Sequence, residues 1–135
     1  MNMPSTTKEV ITMVCDYLDS RNITHATHQT GAEYYGVGSK REHNIIASVN
    51  RLKIRICVRT QFVGGGAWQK MMYTSQMLLD SSEDIRILVY HGSDKRFNHH
   101  VEWLSEKYNK MTADSGFRIL ELNELPRFLD TIALG

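Results

Sequence analysis

The strongest constraint on the fold is the segment LKIRICVR, from Leu52 to Arg59, in which apolar side chains alternate with cations and a cysteine. A period of two residues is typical of a β-strand, because successive side chains point to opposite faces of a sheet. Only Asn50-Arg51 separates this segment from a second apolar one, Asn44 to Val49. The two are predicted to form an antiparallel hairpin. The polar face of the second arm is predicted to carry Lys53, Arg55, Cys57 and Arg59.

Three glycines follow this strand and are expected to turn the backbone closely into a helix. They are Gly64, Gly65 and Gly66, and the helix is predicted from about Ala67 to Leu79. Its methionines are interpreted as core filler rather than as ligands of a cofactor. The packed side of the helix is predicted to carry Trp68, Met71, Met72, Ser75 and Leu79.

The segments before the hairpin predict one helix and a largely irregular stretch. Thr6 and Glu9 have the spacing of a capping box, so a helix is predicted from Thr7 to Asp19 or Ser20. The polar residues from Thr24 to Gly31 are interpreted as a loop. Residues 32–37 are interpreted as a short strand or strand-like loop.

The second half of the chain alternates strands and helices. Ile85 to Tyr90 is an apolar run interrupted only by Arg86, which is typical of a central strand. A helix from about Asn98 to Tyr108, a strand from Phe117 to Leu122 and a closing helix near Asn123 or Glu124 are predicted to follow. The predicted fold class is α/β, with a mixed central sheet that contains an antiparallel hairpin and is flanked by helices. The 135 residues are expected to form one domain, 1–135.

The composition is that of an ordinary globular protein, with 41% hydrophobic and 23% charged residues. No apolar run approaches the roughly 20 residues needed to cross a bilayer, and the N-terminus lacks the pattern of a signal peptide. A cytoplasmic protein without a membrane partner is therefore expected. Cys15 and Cys57 form no CxxC pattern and lie in apolar stretches, so both are expected to be reduced, buried thiols.

Positive charge is concentrated in one segment, although the net charge of the chain is only +1. Residues 40–59 hold six lysines and arginines and a single acid, Glu42, which gives +5 there and −4 for the rest of the chain. A localised basic segment favours contact with a polyanion such as DNA. The alternative is a solvated strand edge whose cations prevent aggregation.

The order of elements, together with the segment CVRTQFVGGGAWQK, resembles the restriction-endonuclease-like, or PD-(D/E)XK, nuclease superfamily. In that superfamily an acid on one arm of a hairpin is followed, on the next arm, by acid-x-lysine. A Gln, a glycine-rich turn and a Lys-bearing helix often come after them. The resemblance places the first acid at Asn44, the acid-x-lysine motif at Cys57-Val58-Arg59, the Gln at Gln61 and the helix lysine at Lys70.

The resemblance implies an active site that has lost its metal-dependent chemistry. Phosphodiester hydrolysis in such a site needs Mg²⁺ or Mn²⁺ held by carboxylate oxygens. Asn44 has no charge, Cys57 is a soft ligand, and Arg59 stays protonated and cannot act as a base. We therefore expect no cofactor, and a domain that binds DNA, or serves as an accessory subunit or regulator, without cutting. The residues expected to hold a nucleic-acid backbone are Lys53, Arg55, Arg59, Gly64, Gly65, Gly66 and Lys70.

Three other interpretations of the site stay open. An active nuclease could bind Mg²⁺ or Mn²⁺ through relocated acids, with Glu33 and Glu42 as the candidates. A protein-interaction module without nucleic-acid binding would pair the basic face with an acidic partner, and family analogy makes a homodimer plausible. A nucleophilic enzyme would use Cys57, whose thiolate the neighbouring cations would favour.

The histidines are interpreted as surface or helix-cap residues rather than metal ligands, namely His91, His99 and His100.

Overall fold

A computed structural model of the protein describes residues 3–27, 44–62, 67–93, 95–111 and 116–134. None of the helices in these ranges is long and apolar enough to cross a membrane. In chain order the elements are helix α1 (Thr7–Asp19), strands β1 (Thr24–Thr27), β2 (Asn44–Val49) and β3 (Leu52–Gln61), helix α2 (Ala67–Asp80), strand β4 (Ile85–Gly92), helix α3 (Lys95–Met111), strand β5 (Phe117–Glu121), a 3-10 turn (Leu122–Glu124) and helix α4 (Leu125–Leu134).

The strands form one sheet in the order β1-β2-β3-β4-β5. β1, β2 and β3 are antiparallel neighbours, whereas β3, β4 and β5 run parallel. Helices α2 and α3 connect the parallel strands, because a parallel pair cannot be joined by a short turn. The prediction of an α/β fold with a mixed sheet, an antiparallel hairpin and flanking helices is confirmed.

Helices cover both faces of the sheet and create two apolar layers. α1 and α4 pack on one face, against side chains that include Ile45, Ile56 and Val89. α2 and α3 cover the other face, where Cys57 and Leu88 belong to the core. The alternation along the middle of β3 therefore separates two covered faces, and the prediction of a row of cations open to a ligand is wrong at Arg55, which is buried.

Short polar segments and helix surfaces account for the other differences from the predicted elements. Thr24–Thr27 is strand β1 and not a loop, because it pairs with β2 along its whole length. α3 begins at Lys95 rather than near Asn98. Met72 does not lie on the packed side of α2, since its side chain is 59% exposed. The predicted strand at 32–37 and the side chain of Trp68 lie outside the described residues.

The hairpin turn between β2 and β3 uses two residues in the left-handed conformation. Asn50 has φ of 51° and Arg51 has φ of 68°. Positive φ at both central positions is typical of the tight turns whose twist matches the flanking strands. The Asn50 amide also donates to the carbonyl oxygens of Ile132 and Ala133, at 3.4 and 3.3 Å, near the end of α4. The turn is thus fixed by the last helix as well as by its own backbone.

Replacing Arg51 by glycine is expected to raise the free energy of unfolding by about 1 kcal/mol, because glycine adopts this φ without the steric cost of a Cβ. Urea denaturation followed by circular dichroism measures the change. Asn50→Gly is the matched control: it relieves the same conformation but removes the two hydrogen bonds to α4, so its gain should be smaller. A loss of stability in Arg51→Gly would contradict the proposed strain.

A buried ion pair between Arg55 and Glu83 lies near the amino-terminal ends of the parallel strands β3 and β4. Arg55 of β3 is only 2% exposed, and its Nη2 and Nε donate to the two carboxylate oxygens of Glu83 at 2.8 and 2.9 Å. Ser81 also donates to this carboxylate. Burial by itself would raise the pKa of Glu83, but the hydrogen bonds from Arg55 and Ser81 and the charge of Arg55 lower it from 4.5 to about 2. Arg55 is therefore a structural cation.

Acidification is expected to remove the stabilisation that Glu83 provides. Because its pKa is about 4.5 when unfolded and about 2 when folded, this contribution is complete above pH 4.5 and is lost as the pH falls towards 2. Glu83→Gln should lower the free energy of unfolding at pH 7 by roughly 3 kcal/mol, since it leaves the buried charge of Arg55 uncompensated. Denaturation between pH 2 and pH 7 should show a weaker pH dependence for this variant than for the wild type.

Glu106→Gln is the matched control for this loss, because Glu106 is exposed on α3. Its effect should stay within about 0.5 kcal/mol. Equal effects of the two substitutions would contradict a special role for the Arg55–Glu83 pair.

Candidate functional site

The carboxyl ends of the three parallel strands lie together at one edge of the sheet. Arg59 pairs in register with Tyr90, Thr60 with His91, and Tyr90 in turn with Glu121. Ligands of open α/β sheets bind at this end of the strands. We call this end of the sheet, with Arg59, Gln61, His91 and Glu121, the carboxyl edge, and it is the candidate site of the fold.

Arg59 is the cation that β3 contributes to the carboxyl edge. It is half-buried, and its Nε donates to Oγ1 of Thr74, at 3.1 Å, on the buried side of α2. Its Nη1 donates to the carbonyl oxygen of Val58 at 3.3 Å. These bonds hold the guanidinium between β3 and α2 while part of it reaches the surface, which suits contact with an anion such as phosphate.

His91 and Glu121 form a hydrogen-bonded pair at the same end of the sheet but on the other face from Arg59, because His91 is in register with Thr60, the residue that follows Arg59 on β3. His91 is 6% exposed, and its Nδ1 lies 2.7 Å from Oε1 of Glu121. The ring of Phe62 contacts the imidazole edge-on, with the ring centres 6.0 Å apart. The expectation that His91 is a surface or helix-cap histidine is therefore wrong, because it is buried at the end of a strand with a carboxylate partner. His99 and His100 are exposed on α3, as predicted.

One further contact and one shifted pKa belong to this end of the sheet. The hydroxyl groups of Thr7 and Thr60 lie 2.5 Å apart, so the start of α1 reaches the end of β3. Burial, with smaller effects of Glu124, Glu102 and Glu121, raises the pKa of Tyr90 to about 12. The tyrosine hydroxyl therefore stays protonated at neutral pH and is no base.

The three cations predicted on one face of β3 do not form one surface. Lys53 is exposed at the opposite end of the strand, where its backbone N–H donates to Oδ2 of Asp84 at 2.8 Å. Six residues of strand separate it from Arg59, which is roughly 20 Å. Arg55 lies between them but is buried and forms an ion pair with Glu83. The prediction that Arg55 binds a ligand together with Lys53 and Arg59 is wrong, because Arg55 is buried in its ion pair. The binding roles of Lys53 and Arg59 stay predictions.

Asn44 and Cys57, the positions where the resemblance implies metal-binding acids, lie directly opposite each other in the β2–β3 ladder. Cys57 is completely buried among the apolar residues under α2 and α3. Burial raises the pKa of its thiol, against the smaller opposing effect of Arg59 and Arg55. The hypothesis that neighbouring cations activate this thiolate is therefore wrong.

These positions do not fit Mg²⁺ or Mn²⁺. Both ions need several oxygen ligands, and Cys57 supplies a soft sulfur enclosed by apolar side chains. Within the described ranges, no three His, Cys, Asp or Glu side chains are grouped so that they could hold a metal ion. Glu33 and Glu42, the proposed relocated acids, lie outside those ranges.

The other residues predicted for the site follow Arg59 in the sequence. Gln61 ends β3 and is buried. Gly64, Gly65 and Gly66 lie outside the described residues, and Lys70 is placed on α2 without a described side chain. The sequence interpretation missed the His91–Glu121 pair. The signal for it was the position of His91, directly after an apolar strand and before Gly92-Ser93, at the end of the strand where ligands bind.

Comparison of the chain with protein-family models, with curated proteins and with solved structures returned no match. What the carboxyl edge can do must therefore be judged from its own residues. These are a half-buried guanidinium, a buried imidazole with its carboxylate partner, and two hydroxyl groups. Of these groups, the guanidinium of Arg59 can hold an anionic group through charge and hydrogen bonds, whereas His91 already bonds to a carboxylate.

The thiol of Cys57 is expected to be unreactive in the folded protein, because it is buried and its pKa is raised. In a Cys15→Ser variant, which leaves Cys57 as the remaining thiol, Ellman's reagent should react at least about 100-fold more slowly in native buffer than in denaturant. The reciprocal variant, Cys57→Ser, keeps the half-buried Cys15 and should react faster. Rapid labelling of native Cys57 would contradict the buried position.

Proposed function

We propose that this protein is a nuclease-like domain of the PD-(D/E)XK kind that binds nucleic acid at its carboxyl edge without cutting it. The observation that carries the proposal is the order α1, antiparallel β1–β3, crossover helix α2 and parallel β4, together with the pairing of Asn44 and Cys57. The order of these elements supports the resemblance to that superfamily. The register supports the assignment, because the two positions expected to carry acids face each other across the hairpin.

The absence of cutting is inferred from the chemistry of these positions. Asn44 offers no negative charge, and Cys57 offers a buried thiol in place of a carboxylate. Arg59, where the superfamily has its lysine, is charged at every accessible pH and cannot accept a proton. Water activation by a metal ion therefore has no support among these three residues.

Binding of nucleic acid is inferred from what remains at the carboxyl edge. Arg59 offers a planar guanidinium that suits a phosphate, and it is held in place by Thr74. Three glycines follow β3 in the sequence, and Lys70 comes after them on α2. Glycine backbone N–H groups and a lysine are groups that bind phosphate. A domain of this kind would serve as an accessory subunit or regulator that occupies DNA.

The proposal predicts DNA binding that depends on Arg59 and on salt. Fluorescence anisotropy with a labelled 20-base-pair duplex should detect binding at low salt that weakens steeply as salt is added. Arg59→Ala should reduce the affinity about tenfold and lower the salt slope by about 0.9, the loss of one phosphate contact. No product should form on a denaturing gel, with or without Mn²⁺.

Lys53→Ala is the matched control, since Lys53 is an exposed cation of the same strand at its other end. It should change the affinity less than twofold, and thermal unfolding should verify that both variants are folded. A Mn²⁺-dependent product would contradict the proposal and direct attention to Glu33 and Glu42. Equal effects of the two substitutions would place binding away from the carboxyl edge, and no binding at any salt would favour a protein partner.

A further inference from the structure

The outer surface of α3 carries a stripe of exposed cations around an exposed tryptophan. Arg96, His100, Trp103 and Lys107 recur every three or four residues, so they lie along one side of the helix, and the two cations, Arg96 and Lys107, lie about three helical turns apart on either side of Trp103. All four are exposed, and Trp103 is 61% exposed. We call this stripe the α3 ridge. It is distinct from the carboxyl edge, although α3 begins just after β4 ends there.

An apolar cleft borders the α3 ridge where α3 meets α2. It is lined by Met72, His100, Val101, Trp103 and Leu104. Met72 of α2 is exposed beside the tryptophan, so the cleft combines a flat aromatic wall with a flexible apolar one. Exposed apolar side chains gathered in this way mark an interaction site more often than an ordinary surface.

The charge around the cleft selects the kind of partner. α3 carries four lysines and arginines, Lys95, Arg96, Lys107 and Lys110, against Glu102 and Glu106. Lys107 holds its ammonium group 5.4 Å from the centre of the Trp103 ring. A second copy of the chain would bring like charges together, which disfavours pairing through this surface. An anionic partner is favoured instead.

We propose that the α3 ridge binds single-stranded nucleic acid, with a base against Trp103 and the cleft and with the backbone along the cations. Proteins that bind single strands combine an aromatic side chain, on which an unpaired base stacks, with cations that follow the phosphates. A duplex keeps its bases stacked internally and would use the cations alone. This goes beyond the proposed function, because neither Arg59 nor the degenerate active site takes part.

The test measures binding of a labelled oligothymidylate of about 15 nucleotides, within the range of known single-strand sites, at low salt. Trp103→Ala should weaken binding about tenfold, and Trp103→Phe, which keeps an aromatic face, should stay within about threefold of the wild type. Lys107→Gln should lower the salt slope by about 0.7. In a Trp68→Phe background, the fluorescence of Trp103 should be quenched by the oligonucleotide.

Glu106→Gln is the control on the same helix and should not weaken binding, because it removes a negative charge. Arg59→Ala should leave oligothymidylate affinity within about twofold, which separates this proposal from binding of a duplex at the carboxyl edge. The proposal is overturned if Trp103→Ala binds as tightly as the wild type, or if Arg59→Ala abolishes binding to both probes. Failure of the wild type to bind oligothymidylate would also overturn it and leave an acidic protein segment as the occupant of the cleft.

Discussion

The burial of β3 on both faces is the constraint on which the rest of the structure depends. β3 lies at the centre of the sheet, antiparallel to β2 and parallel to β4, and helices cover it from above and below. The middle of a strand in this position buries what its second face carries, whereas Lys53 and Arg59, nearer its two ends, keep exposed surface. Cys57 tolerates burial as a small, weakly polar residue, and Arg55 tolerates it only because Glu83 neutralises its charge.

The hairpin and the alternation of helices could be predicted from the sequence because they depend on local periodicity and on capping. The alternation in LKIRICVR indicates a strand whether its second face is exposed to solvent or covered by helices. The strand was therefore predicted correctly, and the burial of its second face was not. Arg55 looks like a ligand-binding cation in the sequence, since its partner Glu83 follows 28 residues later, beyond a helix. β1 was missed because its residues, THAT, are mostly polar and gain their structure by pairing with β2.

The residues of the candidate site also differ in how far they could be predicted from the sequence. Asn44 and Cys57 were aligned by a local motif, and their pairing across β2 and β3 follows from the short turn between them. His91 and Glu121 lie 30 residues apart and meet only because β4 and β5 are parallel neighbours. The exposure of Trp103 could not be predicted from the sequence either. Helical spacing separates the two sides of α3 but does not show which side the sheet covers.

The meeting of the first and last helices has a consequence for how the protein is made. α1 and α4 share one face of the sheet, and Arg21 after α1 bonds to Asp130 of α4 at 2.6 Å. On the ribosome, strands β1 to β5 emerge before α4 does. Nascent chains therefore present Ile45, Ile56 and Val89 partly uncovered until α4 has also emerged, a period in which a chaperone or a second nascent chain competes with α4 for this face.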